Sequence, residues 1–147
     1  MATSNISVST DKATKTAGRW LALIVAVLAV VTCIFYYVYE SGLSAVDSTV
    51  ILLLVCVAVL NVVYFLVHMS YRLDVLGIIE IVSTLLSGLA LTNYLNSDIS
   101  NLADLLNGVT IFSGGTGDVT SIFALIALMA VIGLLQVVIC FMRTDKK

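Results

Sequence analysis

The chain contains four separate stretches of about 20 apolar residues, the length that an α-helix needs to cross a bilayer. They lie at about 20–39, 49–69, 75–95 and 120–142. Inside lipid the backbone amides must be paired within their own segment, so each stretch is predicted to be a helix. The composition agrees, because 61% of the residues are apolar and only 11% are charged, unlike a soluble domain. The sequence therefore predicts an all-α integral membrane protein with four transmembrane helices.

The basic residues predict how these helices are oriented. All seven fall before the first stretch, between the second and third, or after the fourth. Cytoplasmic loops are the ones enriched in Lys and Arg, so both termini are predicted to be cytoplasmic, in a plasma membrane or a bacterial inner membrane. Four helices with this split form an antiparallel bundle. The basic residues are Lys12, Lys15, Arg19, Arg72, Arg143, Lys146 and Lys147.

Little of the chain lies outside the four stretches. Residues 1–18 and 144–147 are predicted to be cytoplasmic tails, the first of them flexible, around a transmembrane domain at 19–143. The largest connection is the outer loop at 96–119, where apolar residues recur at helical spacing. That spacing predicts a short amphipathic helix on the membrane surface and a candidate surface for a partner. The apolar residues of this surface are Ile99, Leu102, Leu105 and Leu106.

The acidic residues of the two outer loops are predicted to be solvated. Asp47 or Ser48 is also predicted to cap the second helix. Tyr36 and Tyr94 are among the tyrosines predicted to mark the outer membrane boundary. The acidic residues in question are Glu40 and Asp47 in the first loop, and Asp98, Asp104 and Asp118 in the second.

Seven polar residues inside or at the ends of the predicted helices form a candidate intramembrane polar layer, because polar groups are costly in lipid and mark packing or functional sites. Asn61, Glu80 and Gln136 of the second, third and fourth helices fall at a similar depth, roughly 8–12 Å from the cytoplasmic side of the membrane. The serines and the threonine of the third helix share a face with Glu80. The seven are Asn61, His68, Glu80, Ser83, Thr84, Ser87 and Gln136.

Three interpretations of this layer remain open. In the first, Asn61, Glu80 and Gln136 form hydrogen bonds across the bundle and fix its packing, at roughly 0.6 kcal/mol each. In the second, Glu80 is a proton or cation site with the two amides as neutral ligands. In the third, Glu80 pairs with a basic residue of a partner subunit.

The sequence predicts neither catalysis nor a cofactor. It contains no Ser, His and acid set at interpretable spacing and no paired carboxylates on one face, so acid–base chemistry has no candidate residues. One histidine and three scattered cysteines suggest no metal site, and Cys33, Cys56 and Cys140 are interpreted as apolar core residues. The net charge of −2 offers no basic surface to a nucleic acid.

These features favour a non-enzymatic integral membrane protein that acts as an accessory or assembly subunit of a membrane complex. The expected partners are the lipid bilayer and either another membrane protein or further copies of the chain. The alternative is a small oligomeric transporter or ion-conducting protein that uses Glu80 as a proton or cation site. A purely structural, membrane-organising protein is a third possibility.

Overall fold

The computed structural model describes residues 3–43, 46–67, 73–107 and 119–144, and nearly all of them are helical. The absence of proline from the chain agrees with long uninterrupted helices, because proline breaks the helical hydrogen-bond pattern. The helices are α1 (Thr3–Leu43), α2 (Ser48–Val67), α3 (Leu73–Leu106) and α4 (Val119–Thr144).

Each helix contains a segment that is long and apolar enough to cross a membrane. The helical fold of the described residues is thus confirmed, as are four helices long and apolar enough to span a membrane. The segments are Ala17–Gly42, Ser48–Val67, Gly77–Ile99 and Thr120–Met142.

The four helices pack in a ring, in which α1 contacts α2 and α4, and α3 contacts the same two helices. Consequently α1 and α3 face each other across the diagonal of the bundle, as do α2 and α4. Neighbours run antiparallel, since Trp20 at the start of the α1 span packs edge-on against Phe65 near the end of α2. We call the end of the bundle that holds Arg19 and Phe65 the basic end, and the end that holds Glu40 and Asp98 the acidic end.

The apolar core has two parts, one for each half of the bundle. Towards the basic end, small residues of α1 such as Ala22 and Ala29 pack with Val57 of α2 and Ile132 of α4. Small side chains let helices approach closely, and van der Waals packing is the main attraction between helices in lipid. Towards the acidic end the core side chains are larger. They include Tyr36, Leu54, Tyr94, Leu125 and Met129.

The start of α2 confirms the predicted cap. The backbone N–H of Thr49 donates a hydrogen bond of 2.8 Å to the Asp47 carboxylate, which satisfies one of the amides that the first turn leaves unpaired. The N–H of Asp47 donates in turn to the hydroxyl of Tyr36 at 3.0 Å. The α1–α2 connection is therefore tied both to α2 and to the core.

Two helices are longer than predicted. Thr3 begins α1, so the helix includes the segment predicted to be a flexible tail, whose alanines and lysines are good helix formers. In α3 the helix continues without a break to Leu106, so residues 96–106 are helical but do not form a separate surface helix. The polar residues Asn96 and Ser97 do not interrupt α3. The Ser97 hydroxyl donates a hydrogen bond to the carbonyl of Tyr94 in the same helix.

Candidate functional site

A cluster of three polar side chains joins three helices near the basic end. The Ser83 hydroxyl of α3 accepts a hydrogen bond of 3.0 Å from the Asn61 amide of α2 and one of 2.6 Å from the Gln136 amide of α4. Asn61 also donates to the carbonyl of Val57 at 2.8 Å. All three side chains are buried. We call Asn61, Ser83 and Gln136 the serine-centred cluster.

Of the seven residues in the predicted polar layer, these three are joined directly. Their meeting follows from helix positions, because α3 lies between α2 and α4 in the ring and Ser83 faces the bundle centre. Ser83 was predicted only to share a face with Glu80, whereas in the structure its hydroxyl is the acceptor that links two amides. Hydrogen bonds between transmembrane helices contribute about 0.6 kcal/mol on average, so the cluster stabilises this arrangement of α2, α3 and α4.

Glu80 lies one turn from the cluster, on the same face of α3, and is only 7% exposed. Its backbone carbonyl accepts a hydrogen bond of 2.8 Å from the Thr84 hydroxyl. That hydroxyl also lies 3.7 Å from the thiol of Cys140 on α4. Burial of Glu80 among polar neighbours agrees with the prediction that its face of α3 points into the bundle.

The remaining members of the predicted layer have different surroundings. Ser87 is buried, and its hydroxyl donates to the carbonyl of Thr84. Gly133 of α4 packs against this serine, with 3.8 Å between the Ser87 oxygen and the position that a Cβ on the glycine would occupy. The face of α3 that holds Ser87 and the face of α4 that holds Gly133 therefore meet inside the bundle. His68 lies outside the described residues.

An apolar layer separates the serine-centred cluster from the acidic end. Leu54, Ala90 and Met129 are each seven residues from Asn61, Ser83 and Gln136 respectively, or about 10 Å along their helices. These three side chains and Leu125 are buried and belong to one core cluster. Within the described residues the centre of a single chain is thus closed by apolar side chains at this depth.

The acidic end contains a buried pair of carboxylic acids that the sequence analysis did not predict. Glu40 of α1 is 2% exposed and Asp98 of α3 is 5% exposed, and the two side chains face each other. We call these two residues the carboxyl pair. The prediction that both are solvated loop residues is wrong. Both residues lie within helices whose buried faces extend farther than the apolar stretches indicate.

Two tyrosines surround the carboxyl pair. Tyr36 and Tyr94 are fully buried, and their rings pack edge-to-face with centroids 5.7 Å apart, a favourable aromatic geometry. They join α1 to α3 across the diagonal, and their position at the outer membrane boundary stays a prediction. Tyr94 lies one turn before Asp98 on α3, and Tyr36 one turn before Glu40 on α1.

Helical periodicity in the sequence is the signal that could have predicted the burial of Glu40 and Asp98. On α3, the buried face that contains Glu80, Ser83 and Ser87 continues at steps of three or four residues through Ala90 and Tyr94 to Asp98. On α1, the face with Ala29 continues in the same way through Thr32 and Tyr36 to Glu40. Following these faces past the last apolar residue places both acids inside the bundle.

A groove on the surface of the bundle runs between α1 and α2. It has a volume of about 380 Å³ and is lined only by apolar and cysteine side chains. Val59 and Ile34 at its mouth are exposed, so the groove opens towards the surroundings of the bundle. The lining residues are Ala29, Val30, Cys33, Ile34, Leu54, Val55, Ala58, Val59, Val62 and Val63.

The predicted partner surface is described only at its first residue. Ile99 is exposed, whereas the side chains of Leu102, Leu105 and Leu106 lie outside the described part of the structure. Within the described residues no group of three or more His, Cys, Asp or Glu side chains is arranged to hold a metal ion. No protein-family model, curated protein or solved structure matches this chain.

Proposed function

We propose that this protein is a non-enzymatic accessory or assembly subunit of a membrane complex, which binds another membrane protein through the surface of its bundle. Two observations support the proposal. The side chains of the serine-centred cluster form hydrogen bonds with one another within the chain, and an apolar layer closes the interior beside them. Because the described part of the interior offers no polar path through the bundle, we infer that the protein functions through its outer surface.

The apolar groove between α1 and α2 is the proposed contact for the partner. A groove of about 380 Å³ lined by small and β-branched side chains accommodates the side chains of a transmembrane helix, and close packing drives helix association in lipid. The segment with Ile99, Leu102, Leu105 and Leu106 is a second candidate contact, because its apolar residues recur at helical spacing.

We place both termini in the cytoplasm, because all seven Lys and Arg residues belong to the basic end or to the segments that adjoin it. In a chain whose native cysteines are replaced, a cysteine at Ser48 is expected to react with a membrane-impermeant maleimide in intact cells. A cysteine at Lys146 is expected to react only after the membrane is permeabilised. The reverse labelling pattern would contradict the orientation.

Site-specific crosslinking tests the groove. A photoreactive amino acid at Val59, at the mouth of the groove, is expected to crosslink to one polypeptide other than this chain in native membranes. The matched control is the same amino acid at Leu85, an exposed position on α3, which is expected to give no such product. Products that contain only this chain or lipid at Val59, or the same partner at both positions, would count against the groove as the contact.

The second candidate function is an oligomeric transporter or channel in which Glu80 binds a proton or cation. Its support is the burial of Glu80 one turn from two amide side chains, since intramembrane carboxylates often mark ion pathways. The apolar layer within one chain requires that such a pathway run between chains. A Glu80→Gln variant that retains full flux in reconstituted vesicles would contradict this function.

A further inference from the structure

The carboxyl pair joins two helices that are not neighbours in the ring. Glu40 and Asp98 belong to α1 and α3, which face each other across the diagonal of the bundle. Together with the edge-to-face rings of Tyr36 and Tyr94, the pair links the acidic ends of these helices through the centre of the bundle. Neither oxygen of the Glu40 carboxyl group accepts a hydrogen bond from a donor group among the described residues.

The basic residues of the chain are too far away to neutralise this pair. The Lys or Arg nearest to Glu40 in sequence is Arg19, 21 residues earlier on α1, or about 30 Å along the helix. The one nearest to Asp98 in sequence is Arg72, 26 residues earlier in the chain. Two ionised carboxylates in contact and away from water repel each other strongly, because neither solvent nor a counter-charge screens them. The pair therefore requires a positive charge that the described part of the chain does not supply.

We propose that Glu40 and Asp98 bind one proton between them and form a proton-binding site at the acidic end of the bundle. The hydroxyl of the protonated carboxyl group donates a hydrogen bond to the carboxylate of the other residue. One bound proton thus removes half of the negative charge and creates the bond that joins α1 to α3. A shared proton needs only two carboxyl groups, whereas the described residues hold no cluster of three or more acidic, His or Cys side chains for a metal ion.

The surroundings of the pair supply an independent observation. Tyr94 is fully buried, and its hydroxyl faces Asp98 and Glu40. A buried hydroxyl directed at the pair is a donor for whichever carboxyl oxygen carries the negative charge.

The other described groups that face the carboxyl pair do not supply a positive charge in place of the proton. Asp47, in the connection before α2, is acidic, and its carboxylate already caps α2. The described residues at the acidic ends of α2 and α4 carry no charge. Among the described residues, the titratable groups around the pair are Tyr36, Tyr39, Tyr94 and Asp47.

Release of the proton leaves two negative charges in contact and weakens the link between α1 and α3. Stability supplied by the shared proton is present while the proton is bound and is lost as the pH rises. The melting temperature of the purified protein is accordingly expected to fall as the pH is raised from about 5 to about 9. Glu40→Gln is expected to abolish this fall, because the glutamine amide donates to Asp98 at every pH in that range.

Infrared spectroscopy tests the proton directly. The measurement uses the full chain in the Glu80→Gln background, so that the carboxyl pair provides the only buried carboxyl groups among the described residues. We expect a carbonyl band from a protonated carboxyl group that shifts in D₂O and decreases as the pH rises. Both Glu40→Gln and Asp98→Asn are expected to remove the band, since either substitution leaves one carboxylate bonded to an amide.

Three results would overturn the proposal. They are the lack of a protonated carboxyl band in the parent protein, survival of the band in either variant, and a melting temperature that depends on pH equally with and without Glu40→Gln. Circular dichroism of each variant establishes that the helices are retained, and Asp98→Asn provides an independent reading if Glu40→Gln fails to fold. Asp47→Asn is the matched control, and it is expected to leave the band unchanged because Asp47 accepts a backbone hydrogen bond instead.

Discussion

Replacing Ser83 with alanine is expected to lower the free energy of unfolding by about 1–3 kcal/mol. The Ser83 hydroxyl accepts hydrogen bonds from both Asn61 and Gln136, so its loss deprives two buried amides of an acceptor. Asn61 keeps its bond to the carbonyl of Val57, which limits the cost on α2. Steric trapping in bicelles measures the change, because it reports unfolding in a lipid environment.

Two comparisons separate the hydrogen bonds from a general effect of removing a hydroxyl. Ser97→Ala is the matched control on the same helix, since this exposed serine bonds only within α3, and we expect it to cost less than about 0.5 kcal/mol. In the double variant Ser83→Ala with Gln136→Leu both partners are apolar, so part of the lost stability is expected to return. A cost for Ser83→Ala no larger than that for Ser97→Ala would contradict the role of the serine-centred cluster.

Replacing Leu125 with alanine is expected to destabilise the protein by about 2 kcal/mol, at the lower end of the range for buried leucine in soluble proteins. Leu125 is fully buried in the apolar layer beside the serine-centred cluster. In lipid the transfer contribution is small, because lipid is as apolar as leucine, but the lost packing contacts and the cavity still cost free energy.

Leu134→Ala on the same helix is the matched control, because Leu134 is exposed on the surface of the bundle. We expect a change of less than about 0.5 kcal/mol for this variant. Equal losses at the two positions would mean that the apolar layer is not the tightly packed region that the account requires.

The sequence is sufficient to predict the four helices because each membrane segment must satisfy its own backbone hydrogen bonds. The bounds of α2 and α4 follow closely from the ends of the apolar stretches. The ends of α1 and α3 do not, because polar residues can continue a helix once it leaves the apolar region. The buried faces of these two helices extend to Glu40 and Asp98, beyond the point at which apolar content identifies them.

Part of the candidate site was also predictable. Asn61 and Gln136 fall at one depth by helical rise, and the structure brings both to α3. The identity of their common acceptor depends on rotation of α3 by a few tens of degrees, which decides whether Glu80 or Ser83 faces the bundle centre. That rotation is set by the packing of whole helices and is not encoded in the spacing of polar residues.

The carboxyl pair was missed for a physical reason. Acidic residues near helix ends are generally expected to be solvated. The periodicity of the buried faces, however, places Glu40 and Asp98 inside the bundle. Tyr36 and Tyr94, one turn before the two acids, are core residues that meet across the diagonal of the bundle.

The central claim, that the bundle acts through its surface on a different protein, is tested most directly by the mass of the intact complex. The protein would be extracted from its native membrane in mild detergent and analysed by native mass spectrometry with identification of each component. The account predicts a second polypeptide bound at a fixed ratio to the 15.7 kDa chain. Assemblies that contain only multiples of this chain would contradict it and would favour the oligomeric transporter.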